Sequence, residues 1–202
     1  MKNTTTILLC FFSFINCLFS QGKFDSYQFR SIQETTSKRA VSSIIQDNNG
    51  FIWIGTNGAG LYRYDGVNYF GYKYDKKPGS VNSNFIYATF IDSNNNLWVG
   101  TDEGLCLYNR DLDNFTKINI EDVITKGYSE PITVKTIIED NNGNLFLGAY
   151  GFGLFKLNIK TLKASLVQSK VLDKPNFLIK SSIKSKQGII YLGTSYGLLE
   201  ID

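Results

Sequence analysis

The stretch Val41-Ser42-Ser43-Ile44-Ile45-Gln46-Asp47-Asn48-Asn49-Gly50-Phe51-Ile52-Trp53-Ile54-Gly55-Thr56 decides the fold, because it recurs. Residues Ile86 to Thr101 repeat it, with Asp92, Asn95, Trp98 and Gly100 at the matching places. Residues Val134 to Ala149 form a third copy around Asp140, Gly143, Phe146 and Gly148, and a fourth runs from Ile179 through Ser185, Gly188, Tyr191, Gly193 and Thr194. The glycines Gly55, Gly100, Gly148 and Gly193 are 45, 48 and 45 residues apart, and in every copy an aromatic residue stands six positions after an Asp or Ser. A period of that length marks a stacked repeat architecture.

Each copy reads as short strands. A β-branched run such as Val41 to Ile45 is followed by a turn at Asp47 to Gly50, then by Phe51 to Ile54, Leu61 to Tyr64 and Tyr69 to Tyr74. Four strands in about 45 residues is the pattern of a propeller blade. The second strands, such as Asn96-Leu97-Trp98-Val99, are apolar at consecutive positions, as expected of a sheet covered on both faces. Leucine-rich repeats are shorter, and the 3.6-residue period of helical repeats is missing. The expected fold is therefore all-β, with β-propeller blades of four antiparallel strands: about three full blades and a partial fourth. The units are 41–85, 86–133, 134–178 and 179–202, after an extended segment at 21–40.

The recurring residues have architectural tasks. Asp47, Asp92 and Asp140 are expected to fold their carboxylates onto amides of the following turn, which Gly50, Gly143 and Asn95 close at positive φ. Trp53, Trp98, Phe146 and Tyr191 are expected as wedges between blades, each worth about 2 to 3 kcal/mol of burial. The four motif glycines are expected to end the second strand at a sharp turn.

The N-terminus differs from the rest. Lys2, the apolar stretch Ile7 to Phe19 and the small Ser20 give a secretory signal peptide over 1–20, cleaved after Ser20. Its apolar core is short for a span of about 20 residues, and Asn16 ahead of Cys17 is bulky for a lipidation site. Cys10 and Cys17 would leave with the signal, so Cys106 would remain alone, with no intramolecular disulfide. Of 202 residues, 43% are hydrophobic; Lys and Arg number 21 against 18 Asp and Glu, a net charge of +3. That balance, without charge runs, argues against nucleic acid as a partner, and nothing downstream of the signal is expected to contact a membrane.

With Ile-x-Gln/Glu-Asp-x-x-Gly-x-x-Trp-Ile-Gly-Thr followed by Gly60-Leu61-Tyr62-Arg63-Tyr64-Asp65, the chain resembles the two-component regulator propeller repeat family of periplasmic sensor domains. The resemblance covers residues 24–202. It implies a sensor with paired seven-bladed propellers, an immunoglobulin-like domain, a membrane span and cytoplasmic kinase modules, with oligosaccharides as frequent ligands. This chain contains no histidine, hence no phosphoacceptor histidine of its own, and signalling would pass through kinase modules or further blades elsewhere. The fourth copy stops at its third strand. Either Phe24 to Ile32 supplies the missing strand and closes a four-bladed ring, or that segment pairs with a later blade of a longer protein; the resemblance favours the second. A homodimer is a further possibility.

Loops joining second to third strands should open on the same face as the connections between blades, where function collects on repeated scaffolds. That face offers Asn57, Asp102, Glu103, Tyr150, Phe152 and Tyr196 as ligand-binding residues. The aromatics would stack on a sugar ring, and Asp102 and Glu103 would accept hydroxyl hydrogen bonds. No catalytic residue, metal site or cofactor is expected. The Asp-Asn-Asn-Gly turns lack the ligand spacing of a calcium loop, and Asp102 with Glu103 are adjacent residues in a turn, poorly placed to flank one glycosidic bond. The alternatives are a carbohydrate-active propeller enzyme and an adhesive module. A lyase of this shape would use the histidine that is missing, and Arg30, Arg39, Arg63 and Arg110 are too scattered for a sialidase-like triad.

Overall fold

The computed structural model describes residues 28, 39–120, 131–174 and 176–201. The chain divides into two units, 1–33 and 34–202; apart from Gln28, every described residue is in the second. The signal peptide with its cleavage point, and the strand expected at Phe24 to Ile32, lie outside the described residues.

Fifteen strands form four antiparallel sheets among the described residues. The first holds β1 (Val41–Gln46), β2 (Ile52–Thr56), β3 (Leu61–Tyr64) and β4 (Tyr69–Tyr72). The second holds β5 (Ile86–Ile91), β6 (Leu97–Thr101), β7 (Gly104–Asn109) and β8 (Asn114–Ile118). The third holds β9 (Val134–Glu139), β10 (Asn144–Ala149), β11 (Gly153–Asn158) and β12 (Lys163–Leu166), and the fourth holds β13 (Ile179–Lys184), β14 (Ile190–Thr194) and β15 (Gly197–Ile201). Strands pair in chain order within every sheet, and the inner strands β1, β5, β9 and β13 are neighbours in succession. Among the described residues these are propeller blades, three of four strands and one of three, as the repeat led us to expect.

Each pair of neighbouring blades encloses its own apolar core. Trp53 packs between the first and second blades with Leu61, Ile86, Val99 and Tyr108. Trp98 does the same between the second and third with Leu105, Val134 and Ile137, and Phe146 between the third and fourth with Leu154, Ile179 and Leu192. Tyr191, in the last blade, is only half-buried.

The motif glycines have a different task from the expected one. Gly55, Gly100, Gly148 and Gly193 lie inside strands and are not among the residues at positive φ. What they provide is space. A Cβ on Gly55 would lie 2.7 Å from Ile86 Cγ2, one on Gly100 2.9 Å from Val134 Cγ1, and one on Gly148 3.0 Å from Ile179 Cγ2. In all three joints the β-branched residue that opens the next inner strand sits in the hollow left by the preceding blade's glycine. Gly100→Ala is expected to destabilise the fold by about 1 to 3 kcal/mol, because its Cβ would also press on the Val134 carbonyl 2.8 Å away. Urea denaturation measures this, and an unchanged midpoint would refute it.

The six-residue spacing from Asp to aromatic also has a cause that the sequence reading missed. Asp47 Oδ1 accepts from the amides of Asn49 and Phe51, while its Oδ2 accepts from Trp53 Nε1 at 2.9 Å. Asp92 makes the same set with the amides of Asn94 and Asn96 and with Trp98 Nε1 at 2.8 Å. Asp140 keeps the turn amides of Asn142 and Asn144, but Phe146 has no N–H to give; Asn144 Nδ2 donates to its Oδ2 instead. In the fourth copy Ser185 Oγ accepts from the Ile189 amide. Gly50, Asn95, Gly143 and Gly188 close these turns at positive φ.

These turns are also tied to one another from blade to blade. The Asn48 amide donates to Asn95 Oδ1, the Ser93 amide and hydroxyl donate to the Glu139 carboxylate, and Asn141 Nδ2 donates to the Gly188 carbonyl. Arg110 adds an ion pair across the first joint, 2.9 Å from the buried Asp47 Oδ2. Arg63 crosses it as well, donating to Tyr108 and Asp113 while lying over the rings of Phe51 and Phe70. Burial raises the Asp47 carboxyl, but hydrogen bonds from Trp53, Arg110 and the Phe51 amide outweigh it and hold the group below its ordinary value. Asp113 and Asp140 follow the same balance, with Tyr108, Tyr72 and Arg63 acting on the first and Asn144, Asn142 and Lys156 on the second. A carboxyl whose pKa falls on folding stabilises the native state above its unfolded pKa of about 3.9 and ceases to do so as pH drops through the lower folded value. Stability measured by urea titration should therefore be level in this respect above about pH 4 and fall below it, with Asp47→Asn removing part of that acid dependence.

Candidate functional site

The face opposite the Asp turns is built from the second-to-third strand hairpins and the connections between blades. Three of the four hairpins close on the motif threonine, the third blade having Ala149 there. Thr56, Thr101 and Thr194 hydroxyls donate to the carbonyls of Gly60, Gly104 and Gly197, and accept from the amides of Ala59, Glu103 and Tyr196. Three of the four hairpins are tied to an entering chain segment: the amides of Asn57, Tyr150 and Ser195 donate to the carbonyls of Ala40, Thr133 and Leu178. With that backbone held, the side chains beyond the threonine are free to differ from blade to blade.

Every inner strand carries a β-bulge at one and the same register, skipping Ser42, Tyr87, Lys135 and Lys180 in turn. A bulge re-aims the extra side chain, and bulges gather beside active sites. Two of the four meet: Lys135 Nζ lies 2.9 Å from the centre of the Tyr87 ring and 6.0 Å from that of Tyr150. Asp102 acts on the charge of both Lys135 and the Tyr87 phenol. Its Oδ1 is buried without a hydrogen-bond partner, and its backbone carbonyl accepts from Thr133 Oγ1 at 3.4 Å. Burial pulls the Lys135 ammonium below its ordinary pKa, against the pull of Asp102. Burial and then Asp102 push the Tyr87 phenol up. The result is a carboxylate, an ammonium and two phenol rings converging between the second and third blades.

Of the six residues singled out from sequence, the structure thus brings together Asp102 and Tyr150. Phe152 lines a separate cavity of about 540 Å³ with Leu166, Gln168, Ser169, Lys170 and Asp173. Tyr196 stacks on Phe177 at 6.2 Å with Lys174 Nζ 4.8 Å from its ring, which repeats the aromatic and lysine pairing in the fourth blade. Asn57 is exposed and bridges Phe85 through its backbone, and Glu103 is exposed, its carbonyl accepting from Asn82 Nδ2. Sequence reasoning missed Tyr87 and Lys135. The available signal was the one polar or aromatic residue after the first β-branched position of each inner strand: Ser42, Tyr87, Lys135 and Lys180.

Cys106 is a free, buried thiol that donates to Asn82 Oδ1 at 2.7 Å, and burial pushes its pKa up to about 12. It is chemically quiet. Among the described residues no group of His, Cys, Asp or Glu is arranged to hold a metal ion, and no helix is long and apolar enough to cross a membrane. If Asp102 supports the charge on Lys135, Asp102→Asn will lower the Lys135 pKa further. NMR titration of the dimethylated lysine would show this, and an unmoved resonance would count against the pairing.

Comparison with known proteins agrees with this architecture. Residues 36–58 and 80–103 match the two-component regulator propeller model. Histidine kinase P4 of Formosa agariphila is 33% identical over 92 residues, covering 43% of this chain and 6% of that protein. The extracellular domain of a proposed hybrid two component system from B. thetaiotaomicron superposes with a TM-score of 0.67 at 23% identity, covering 90% of this chain and 24% of that one. A catalytically inactive virginiamycin B lyase from Staphylococcus aureus, solved with quinupristin, superposes at 0.59 with 16% identity, covering 83% and 57%. The chain spans 6% of the curated relative and 24% of the first of these structures, and its segments 36–58 and 80–103 are similar to two-component regulator propeller repeats.

Proposed function

We propose that this chain is a ligand-binding portion of an exported sensor of the two-component type, that its ligand is an oligosaccharide, and that it holds the ligand at Tyr87, Asp102, Lys135 and Tyr150. The observation that supports this is the shared bulge register, which takes one side chain per blade out of the apolar pattern and, between the second and third blades, sets a cation between two rings beside a carboxylate. Tyr150, 57% exposed, offers a flat face to a sugar ring. Asp102 and Lys135 supply an acceptor and donors for hydroxyl groups. Export through the signal peptide at 1–20 and a kinase module as downstream partner belong to the same reading.

Calorimetric titration with a panel of neutral and acidic oligosaccharides tests it. Tyr150→Ala and Asp102→Asn should each weaken binding by about tenfold or more, equivalent to about 1.4 kcal/mol, while leaving thermal stability unchanged. Equal affinity in both variants would remove the site from consideration. An enzyme reading is favoured by the likeness to the lyase fold alone. Against it stand the missing histidine and the use of Arg63 and Arg110 as interblade clamps. Release of products from the same panel would establish it in place of sensing.

A further inference from the structure

The tetrapeptide Asp-Asn-Asn-Gly occurs twice, at 47–50 and at 140–143, and a third Asn-Gly pair stands at 57–58. Asparagine before glycine readily loses its side-chain amide, because glycine has no Cβ to shield the backbone nitrogen that attacks the asparagine Cγ. Sequence alone cannot rank the two identical turns. The structure ranks them by what holds the attacking nitrogen and the side chain under attack.

In the first turn the Gly50 amide donates to the Asp47 carbonyl at 3.0 Å, and Asn49 Oδ1 accepts from Asn95 Nδ2 of the next blade at 3.4 Å. At the third pair the Gly58 amide donates to two carbonyls, those of Thr56 at 3.2 Å and Asn84 at 3.0 Å. A nitrogen held in this way has to break its hydrogen bond before it can give up its proton and swing onto a side chain. In the turn at 140–143 neither restraint is present: among the described residues the Gly143 amide and the Asn142 side chain make no hydrogen bond, and Asn142 is exposed. The backbone is pinned on either side, where the amides of Asn142 and Asn144 both donate to Asp140 Oδ1 at 2.8 Å. The two groups that react lie between these anchors.

We propose that Asn142 is a site of self-modification, converting through a cyclic imide to an aspartyl or isoaspartyl residue ahead of the other two Asn-Gly pairs. The Gly143 nitrogen gives up its proton and bonds to Cγ of Asn142; the Cγ–Nδ2 bond breaks, and Nδ2 leaves as ammonia with that proton. Water then opens the ring. Cleavage at Cγ gives the aspartyl product, and cleavage at the main-chain carbonyl gives the isoaspartyl one. Nothing is oxidised or reduced, and an uncharged amide becomes a carboxylate.

The position gives the change an effect on the joint between the third and fourth blades. Asn141 Nδ2 donates to the Gly188 carbonyl, and a Cβ on Gly188 would lie 2.1 Å from that nitrogen, so the turn at 140–143 rests directly on the corresponding turn of the last blade. An isoaspartyl residue lengthens the backbone of this turn by one carbon and adds a negative charge two residues from Asp140.

Peptide mapping by mass spectrometry, after incubation of the purified chain in mildly alkaline buffer, measures the three rates. Conversion at Asn142 should run several-fold ahead of conversion at Asn49 and Asn57. In strong urea Asn49 and Asn142 should converge, because their tetrapeptides are the same. Equal rates in the native protein, a faster Asn49 or Asn57, or no conversion at Asn142 would each overturn the proposal. A native ranking that persists in urea would overturn it as well, since the cause would then lie in the flanking sequence. Anion exchange separates the converted fraction, and Asn142→Gln should remove that fraction. The converted chain should unfold at a lower urea concentration than the unconverted one, and an identical midpoint would refute the effect on the joint.

Discussion

The seating of a β-branched side chain in the hollow over a glycine is the contact on which the rest of this structure depends. It fixes how far one inner strand stands from the next, and through that distance it sets the space available to Trp53, Trp98 and Phe146. A larger residue in place of the glycine would force neighbouring blades apart and open the apolar layer between them.

The two ends of each blade are then specialised by chemistry. At one end the Asp turns are saturated with hydrogen bonds, within each turn and across to the next, and the Arg110 to Asp47 ion pair strengthens the first joint. A carboxylate with no exposed side-chain surface is kept ionised there because an indole N–H, a guanidinium and two amides all point at it. At the other end a threonine hydroxyl bonds backbone groups of three of the four hairpins, which leaves the side chains beyond it free to differ. Tyr87, Lys135, Asp102 and Tyr150 occupy that end. The bulge that presents the first two interrupts the ladder at the point where function would need a side chain turned out of the apolar pattern.

Much of this could be read before any coordinates. The 45-residue period gave the blades, and the Asp to Gly turns followed from side-chain reach and positive φ. Asp102 and Tyr150 stood out as variable residues on a constant frame. The purpose of the glycines was misread, because a glycine near a strand end looks like a turn signal when its neighbour in the next blade is unknown. Lys135 and Tyr87 were hidden for a related reason: a bulge shifts the alternation by one residue, and in sequence that shift looks like an ordinary polar interruption of an apolar run.

The sequence by itself determined the repeat, the strand boundaries to within a residue or two, the wedges and the turns, since these rest on local geometry and on the periodic placement of apolar side chains. Only the tertiary structure decided which residues from different blades meet. Ile86 on Gly55, Arg110 on Asp47 and Lys135 on Tyr87 are separated by 31, 63 and 48 residues. Such pairings follow from the packing of whole sheets, and no local pattern in one chain encodes which side chain a neighbouring sheet will bring opposite.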